Sequence, residues 1–252
     1  KLLDAGACND LDAAIMFHPW MSNGLLLGDR AVVAIDMSFH GRPAHAAADP
    51  WNGANALDAV MLTFNAINAL RQHLKPEVRI HGKVTHGGDV PNIIHAFASA
   101  QILVRAEDTH YLYDEVLAKV ENCARGAALA TGTTVDFARS VPIDCTLPNP
   151  VIQGAISRAA EAVGVSFGEP VFMGGSTDFG NVSQRLPATY FLMEIGVPAD
   201  AAWHSKEVAA AAGSPAGHAG MLAAARILAA AAVELLGQPQ LIAQAWAAHP
   251  RK

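Results

Sequence analysis

The sequence has few cysteines, and no two of them form a CxxC pair. The three in the chain are Cys8, Cys123 and Cys145. Such wide spacing argues against a disulfide framework and against a thiolate zinc site, and it favours a reducing cytoplasm. We interpret the three thiols as ordinary buried or half-buried side chains.

Charge and uninterrupted apolar runs are also scarce. Charged residues make up 16% of the chain, and its formal net charge is -6. Lysines and arginines are scattered rather than clustered, so nucleic acid is not an expected partner. The longest apolar run, around Met221 to Leu236, is broken by Arg226 and Glu234, and no membrane span is expected. With 52% apolar residues the chain is expected to be a soluble globular protein.

Apolar periodicity predicts an α/β fold made of two domains, one inserted into the other. Between residues 31 and 139 the predicted order is strand-helix-strand-strand-helix-strand, which is the ferredoxin-like split βαβ arrangement. The flanking segments 1–30 and 140–238 are expected to form one α/β domain, and 239–252 a C-terminal tail. Strands are predicted at 12–17, 32–39, 78–85, 98–104, 133–137 and 189–195, and helices at 55–74, 111–130, 151–163 and 217–236. Residues 20–28 are expected to form a loop.

A glycine-rich segment contains the longest motif, GGSTDFGNVS at 174–183. It predicts a glycine turn that opens a short helix, where backbone amides can hold an anionic group. The residues concerned are Gly175, Ser176, Thr177 and Asp178. An ordinary helix start explains them equally well on their own, because Ser, Thr and Asp are preferred N-caps.

Two histidines are expected near one edge of the sheet. His18 ends a predicted strand and His204 follows another, and ligands in open α/β sheets collect at the carboxyl ends of strands. Two neutral imidazoles would suit Zn²⁺, with carboxylates completing a dinuclear site. Taken alone, each is better explained as a hydrogen-bonded structural histidine, and with eleven histidines in the chain chance placements are common.

Three polar residues of the inserted domain are further candidates. His45 lies in the segment GRPAHAA after the first strand of that domain, Asn92 in the segment PNII, and Arg105 at a strand end. On their own they are explained as an exposed turn histidine, a turn residue and a solvated charge. An arginine in this setting is also the side chain best suited to bind a carboxylate in a bidentate manner.

Taken together, these motifs resemble the two-metal aminoacylase/carboxypeptidase family, in its aminobenzoyl-glutamate hydrolase and aminoacylase-like branch. The resemblance implies a zinc-peptidase-like α/β catalytic domain interrupted by a lid that forms homodimers. It implies that His18 and His204, with Glu207 three residues later, belong to the ligand signature for two divalent metals, zinc or manganese. By the same resemblance, Asn92, Arg105 and the segment from Gly175 to Asp178 bind substrate.

The resemblance also implies a catalytic role for His45. In the family this lid histidine reaches the partner subunit's active site and donates a hydrogen bond to the oxyanion, worth about 3 kcal/mol. The expected function is therefore a metal-dependent amidohydrolase that cleaves N-acyl or aminoacyl amino acids.

One family element has no counterpart in the sequence, the Glu-Glu pair that supplies the general base. The adjacent acidic pairs are Glu107-Asp108 and Asp114-Glu115, both in the inserted domain. We therefore expect this chain to correspond to the C-terminal two-thirds of a family member and to be inactive alone. The alternative is a non-catalytic dimerisation or carboxylate-binding module.

Overall fold

The structure is a computed structural model that describes residues 2–198 and 200–250. It divides into two compact units. The outer unit contains the chain up to Asp29 and from Cys145 onward, and the inserted unit contains Arg30–Asp144. Residues 140–144, expected from the sequence to open the second outer segment, pair instead with the inserted unit, since Ile143 forms a β-bridge with Val32.

The described residues contain eight strands and eight α-helices, together with 3-10 turns at Pro50–Asn52 and Arg71–His73 and a π-helical turn at Leu112–Val116. The strands are β1 (Ala14–Trp20), β2 (Gly24–Gly28), β3 (Ala31–His40), β4 (Arg79–His86), β5 (Phe97–Ala106), β6 (Thr134–Arg139), β7 (Val171–Phe172) and β8 (Ala188–Glu194). The helices are α1 (Ala56–Leu70), α2 (Thr109–Tyr111), α3 (Leu117–Thr131), α4 (Pro150–Ala162), α5 (Phe179–Ser183), α6 (Lys206–Ala212), α7 (Pro215–Gly237) and α8 (Pro239–Ala248).

The inserted unit has the predicted ferredoxin-like fold. Its antiparallel sheet has the strand order β4-β5-β3-β6, with α1 and α3 packed together on one face. Strand β5 alternates between buried and more exposed side chains along its whole length, as a sheet covered on one face requires. Asn55 starts α1 by accepting a hydrogen bond from the backbone N–H of Leu57, and Gly132 ends α3 in the left-handed conformation.

The outer unit has a mixed sheet with the order β1-β8-β2-β7, in which β1 and β8 are parallel. The larger core cluster joins β1 and β8 to α4, α7 and α8. A smaller cluster of Leu26, Met173, Tyr190 and Leu192 is flanked by Met16, Trp20 and Phe179. Together they confirm the predicted α/β class.

The loop predicted for residues 20–28 is wrong in part. Trp20 ends β1, and Gly24–Gly28 forms β2, which pairs antiparallel with β8 and parallel with β7. The two glycines are explained by close approach. A Cβ at Gly24 would lie 3.2 Å from the Glu169 carbonyl oxygen, and one at Gly28 would lie 3.2 Å from the Phe172 ring.

Helix α7 is the one described helix that is long and apolar enough to cross a membrane, with a mean hydropathy of 1.8 over its best window. The helix continues through Arg226 and Glu234, which were expected to interrupt it as a span. One face, including Ala224 and Ile227, is buried in the core shared with α4. The Glu234 carboxylate also pairs with Arg158 of α4 at 2.7 Å. One face of the helix therefore packs on the outer unit, whereas 22% of its most apolar window is buried.

Candidate active site

His18 and His204 lie close together in the outer unit. His18 is near the end of β1, and His204 is in the loop that follows the neighbouring parallel strand β8. The Trp203 ring is near both, 5.9 Å from the His18 ring and 6.5 Å from the His204 ring by centroids. The two carboxyl ends therefore bring these imidazoles to one edge of the sheet, as parallel pairing predicts.

The His18 ring is held in one orientation. Its Nδ1 lies 2.7 Å from the Pro19 carbonyl oxygen, which accepts only from a protonated nitrogen, so Nε2 keeps its lone pair. A histidine that donates one ring N–H to a backbone carbonyl is typical of metal ligands. Burial, and secondarily the nearby His204, lower the pKa of His18 against the raising effect of the Pro19 bond. The neutral imidazole, the form that binds metals, is therefore favoured.

His204 has a strained backbone. Its φ is 68°, the one positive φ at a non-glycine residue in the described part of the chain. Such conformations cost free energy and cluster at functional sites. Ser205 follows and caps α6, its hydroxyl accepting from the Val208 N–H at 3.4 Å. Glu207 lies in the first turn of α6, fully exposed, and a hydrogen bond from Ser205 lowers its pKa.

A metal centre is only partly represented by these side chains. Across residues 2–198 and 200–250, no group of three or more His, Cys, Asp or Glu side chains is placed to hold a metal ion. Catalytic zinc sites use at least three protein ligands. The two imidazoles fit as part of a ligand set and do not complete one, so the expected pair of metals stays a prediction.

The glycine-rich segment reaches His18 through an aromatic contact. The Phe179 ring meets Tyr190 edge-on at 6.0 Å, and Tyr190 lies 6.2 Å from His18. Helix α5 has five residues, and Asp178 at its start makes no side-chain cap. So short a helix has a weak macrodipole, and an anion held here would depend on individual backbone amides. A Cβ at Gly175 would meet nothing within 4 Å, so this glycine is not required by packing.

The sequence patterns did not predict the buried carboxylate of Asp29, which is hydrogen-bonded to Tyr190. Asp29 is 2% exposed and accepts three hydrogen bonds. The Thr146 backbone N–H and hydroxyl each donate at 2.6 Å, and the Tyr190 hydroxyl donates at 2.9 Å. Burial raises the pKa of Asp29, and these three donors partly offset that rise. A lone Asp next to a glycine gives no sequence signal for such a network.

The turn that contains His45 fixes its tautomer. The exposed His45 ring accepts hydrogen bonds at Nδ1 from the backbone N–H groups of Ala47 and Ala48, at 3.2 and 3.1 Å. Because Nδ1 supplies the lone pair, the ring proton is on Nε2, which is a hydrogen-bond donor. This is the protonation pattern that an oxyanion-stabilising histidine needs.

The structure brings Asn92 to His45 and keeps Arg105 away from both. The Asn92 carbonyl accepts from the Ala46 N–H at 3.0 Å, beside the His45–Ile93 β-bridge. Arg105 pairs with Val32 at the start of β3, whereas the other end of β5 pairs with the end of β3. The strand from Phe97 to Arg105 spans about 27 Å at about 3.4 Å per residue.

The end of the sheet at Arg105 is electropositive. Arg105 is half-buried, and burial together with the nearby Arg30 lowers its pKa. His81 on β4 has its pKa lowered by burial, by Arg105 and by Arg71. Arg30 pairs with Glu107 at 3.0 Å, and the lowered pKa of His81 favours its neutral form, so Arg105 is the candidate at this end for binding a carboxylate.

Comparisons with known proteins agree with these features. A family model described as a peptidase dimerisation domain, of M20 type, matches residues 27–131. The Xaa-Arg dipeptidase of Mus musculus is 38% identical over 247 residues, covering 96% of this chain and 56% of that protein. One of the p-aminobenzoyl-glutamate hydrolase subunits of Escherichia coli is 36% identical over 165 residues, covering 63% of this chain and 33% of that protein.

A solved structure has a similar fold. The crystal structure of an aminobenzoyl-glutamate utilization protein from Klebsiella pneumoniae gives a TM-score of 0.69 at 19% identity, covering 92% of this chain and 57% of that one. The chain thus spans little more than half the length of the Mus musculus dipeptidase and of the Klebsiella pneumoniae protein. The dimerisation-domain match and the 38% identity along 96% of its residues together support a similarity of this chain to the M20 family of aminoacylases and peptidases.

Proposed function

We propose that the chain is part of a metal-dependent amidohydrolase that cleaves the amide bond of dipeptides or N-acyl amino acids. The observation that carries the proposal is the pairing of His18 and His204 at one sheet edge, with His18 oriented by the Pro19 carbonyl. The names of the relatives, an Xaa-Arg dipeptidase and a p-aminobenzoyl-glutamate hydrolase, support this substrate class. Scattered basic residues and three widely spaced cysteines favour action in the cytoplasm on a small molecule.

Arg105 of the inserted unit would bind a carboxylate of the substrate. In the outer unit, the segment from Gly175 to Asp178 would offer backbone amides to an anionic group. Asn92 would contact the substrate next to His45. His18 and His204 would contribute two ligands to the divalent metal, zinc or manganese, which acts as a Lewis acid when bound. His45 would donate its Nε2–H to the carbonyl oxygen as negative charge develops there.

The separation of Arg105 from His45 supports a homodimer. Two residues of extended peptide span at most about 7 Å, far less than the roughly 27 Å between the two ends of the sheet. One copy therefore cannot place both side chains on one dipeptide, and His45 would serve a substrate held by a second copy. The exposed edge strand β4 of the inserted unit, in a domain matched to a peptidase dimerisation domain, is a suitable contact between copies.

Subunit complementation in the full-length gene product tests this proposal. His18→Ala and His45→Ala variants, each inactive as a homodimer, are mixed by co-expression, and hydrolysis of an Xaa-Arg dipeptide is measured. If His45 acts on the second copy, each mixed dimer regains one intact site of its two. A mixture no more active than the separate variants would refute the arrangement between copies. A dimer of wild type with a His18→Ala/His45→Ala double variant is the control, because it lacks any intact site.

The alternative is a non-catalytic dimerisation or carboxylate-binding module. It is favoured by the lack of a three-ligand metal cluster within the described residues. Metal content and hydrolysis of this chain, measured beside the full-length gene product, separate the two proposals. We expect only the full-length product to hold about two metals and turn over. The inactivity of the chain alone stays a prediction until that measurement.

A further inference from the structure

Trp51 is the most exposed of the four tryptophans. It lies in the single helical turn Pro50–Asn52, and its relative exposure is 76%, against 41% for Trp246. The remaining two, Trp20 and Trp203, are half-buried in the outer unit. An indole combines a large apolar face with a polar edge, and it is among the residues that most often dominate binding sites.

Hydrogen bonds of Asp49 connect the helical turn that contains Trp51 to His45. Its carboxylate accepts from the His45 backbone N–H at 2.9 Å, and its own N–H donates to the His45 carbonyl at 3.1 Å. Its carbonyl accepts from the Asn52 N–H at 3.0 Å. The residues on both sides of Trp51 are thereby tied to the turn that fixes the His45 ring.

Backbone hydrogen bonds also join the two ends of the loop 42–54 that contains His45 and Trp51. Arg42 and Ala54 exchange two backbone hydrogen bonds, both 2.9 Å long. A Cβ at Gly41 would lie 2.0 Å from the Ala54 carbonyl oxygen, and one at Gly53 would lie 2.8 Å from the Ile94 side chain. Because contacts this tight leave the loop little freedom, the backbone that carries the exposed Trp51 side chain is held close to the His45 turn.

We propose that Trp51 is a substrate-contact residue in the same site that His45 serves, on the second copy of the chain. This inference rests on the proposed function, because it takes its site from the action of His45 on that copy. The indole face would stack on a planar part of the substrate, either a guanidinium or an aryl ring. Both groups share the delocalised, flat chemistry that an indole face attracts.

Ligand binding to the full-length dimer tests the proposal without requiring turnover. In a His45→Ala background, calorimetry would measure the affinity for p-aminobenzoyl-glutamate, for an Xaa-Arg dipeptide and for an Xaa-Ala dipeptide. We expect Trp51→Ala to weaken binding of at least one planar ligand by about threefold to tenfold, and to leave the Xaa-Ala dipeptide unchanged. Trp51→Phe should retain most of the affinity. The matched control is Leu129→Ala, which truncates a side chain of the same unit that is 84% exposed.

The contrary outcomes are distinct. Equal affinities for Trp51→Ala and Leu129→Ala with all three ligands would overturn the proposal. So would dissociation of the Trp51→Ala dimer in sedimentation, because Trp51 would then contact the other protein chain rather than the substrate. Failure of the His18→Ala and His45→Ala complementation would instead refute the proposed arrangement of the site, and the binding measurement would still report whether Trp51 contacts ligand.

Discussion

Replacing Tyr190 by Phe should destabilise the outer unit through Asp29. The substitution keeps the ring, which is 1% exposed, and removes the hydroxyl that donates to Asp29 at 2.9 Å. A hydrogen bond to a charged group contributes about 1.5–3 kcal/mol. For a chain of this size that loss lowers the melting temperature by roughly 3–12 °C. Urea unfolding at neutral pH, followed by circular dichroism, would measure the free-energy change directly.

Tyr190→Phe in an Asp29→Ala background tests whether the cost of losing the hydroxyl arises from its bond to Asp29. Asp29→Ala leaves the Tyr190 hydroxyl and two Thr146 donors buried without their acceptor, at a cost of about 1–3 kcal/mol for each donor. In that background Tyr190→Phe removes an unsatisfied donor and should cost nothing or restore stability. An equal cost for Tyr190→Phe in both backgrounds would refute the network. Tyr113→Phe, which breaks a half-buried Tyr–Asp hydrogen bond in the inserted unit, is the matched control and should cost less.

Three further predictions concern stability. Burial raises the pKa of Asp29 above its ordinary value of 3.8. Between that pH and the pKa in the folded state, the folded protein binds more protons than the unfolded one, so the free energy of unfolding of wild type relative to Asp29→Asn should decrease as the pH rises. Urea titrations at several pH values would measure this decrease. Asn149→Ala removes the cap of α4 and the 2.8 Å bond to the Ala245 carbonyl, and should cost about 1–3 kcal/mol in the same titration; no loss would mean that solvent replaces both bonds. Gly220→Ala would place a Cβ 2.4 Å from the Glu194 carbonyl oxygen and should lower the melting temperature, whereas Gly126→Ala, where nothing lies within 4 Å, should not.

The inserted unit was predictable because its signals are local. Strand β5 alternates along ten residues, and α1 has its cap at Asn55, so periodicity and capping point to the same elements. Strands β2 and β7 were missed because they are short and their pairing is distant in sequence, as in the register of Leu26 with Val171. Glycines at both ends of β2 resemble loop residues until their close neighbours are known.

The roles of the candidate site residues stay predictions, and what the sequence anticipated is the approach of two histidines at one edge of the sheet. The motifs singled out His18 and His204, and parallel pairing of β1 with β8 explains why they meet. The sequence did not predict the Pro19 bond that orients His18 or the two amides that fix the tautomer of His45. Those contacts depend on backbone geometry within a turn or at a strand end, which residue type alone does not determine.

The sheet of the inserted unit fixes the distance between its two ends. Its strands set the distance between the end that carries Arg105 and the end that carries His45, and the hydrogen-bonded register prevents that distance from drifting. Removing two paired residues from each of its strands would shorten the sheet by about 7 Å and keep every side chain on its face. Removing one would turn Arg105 to the opposite face. The length of this sheet is therefore constrained in steps of two residues, independently of the sequence that fills it.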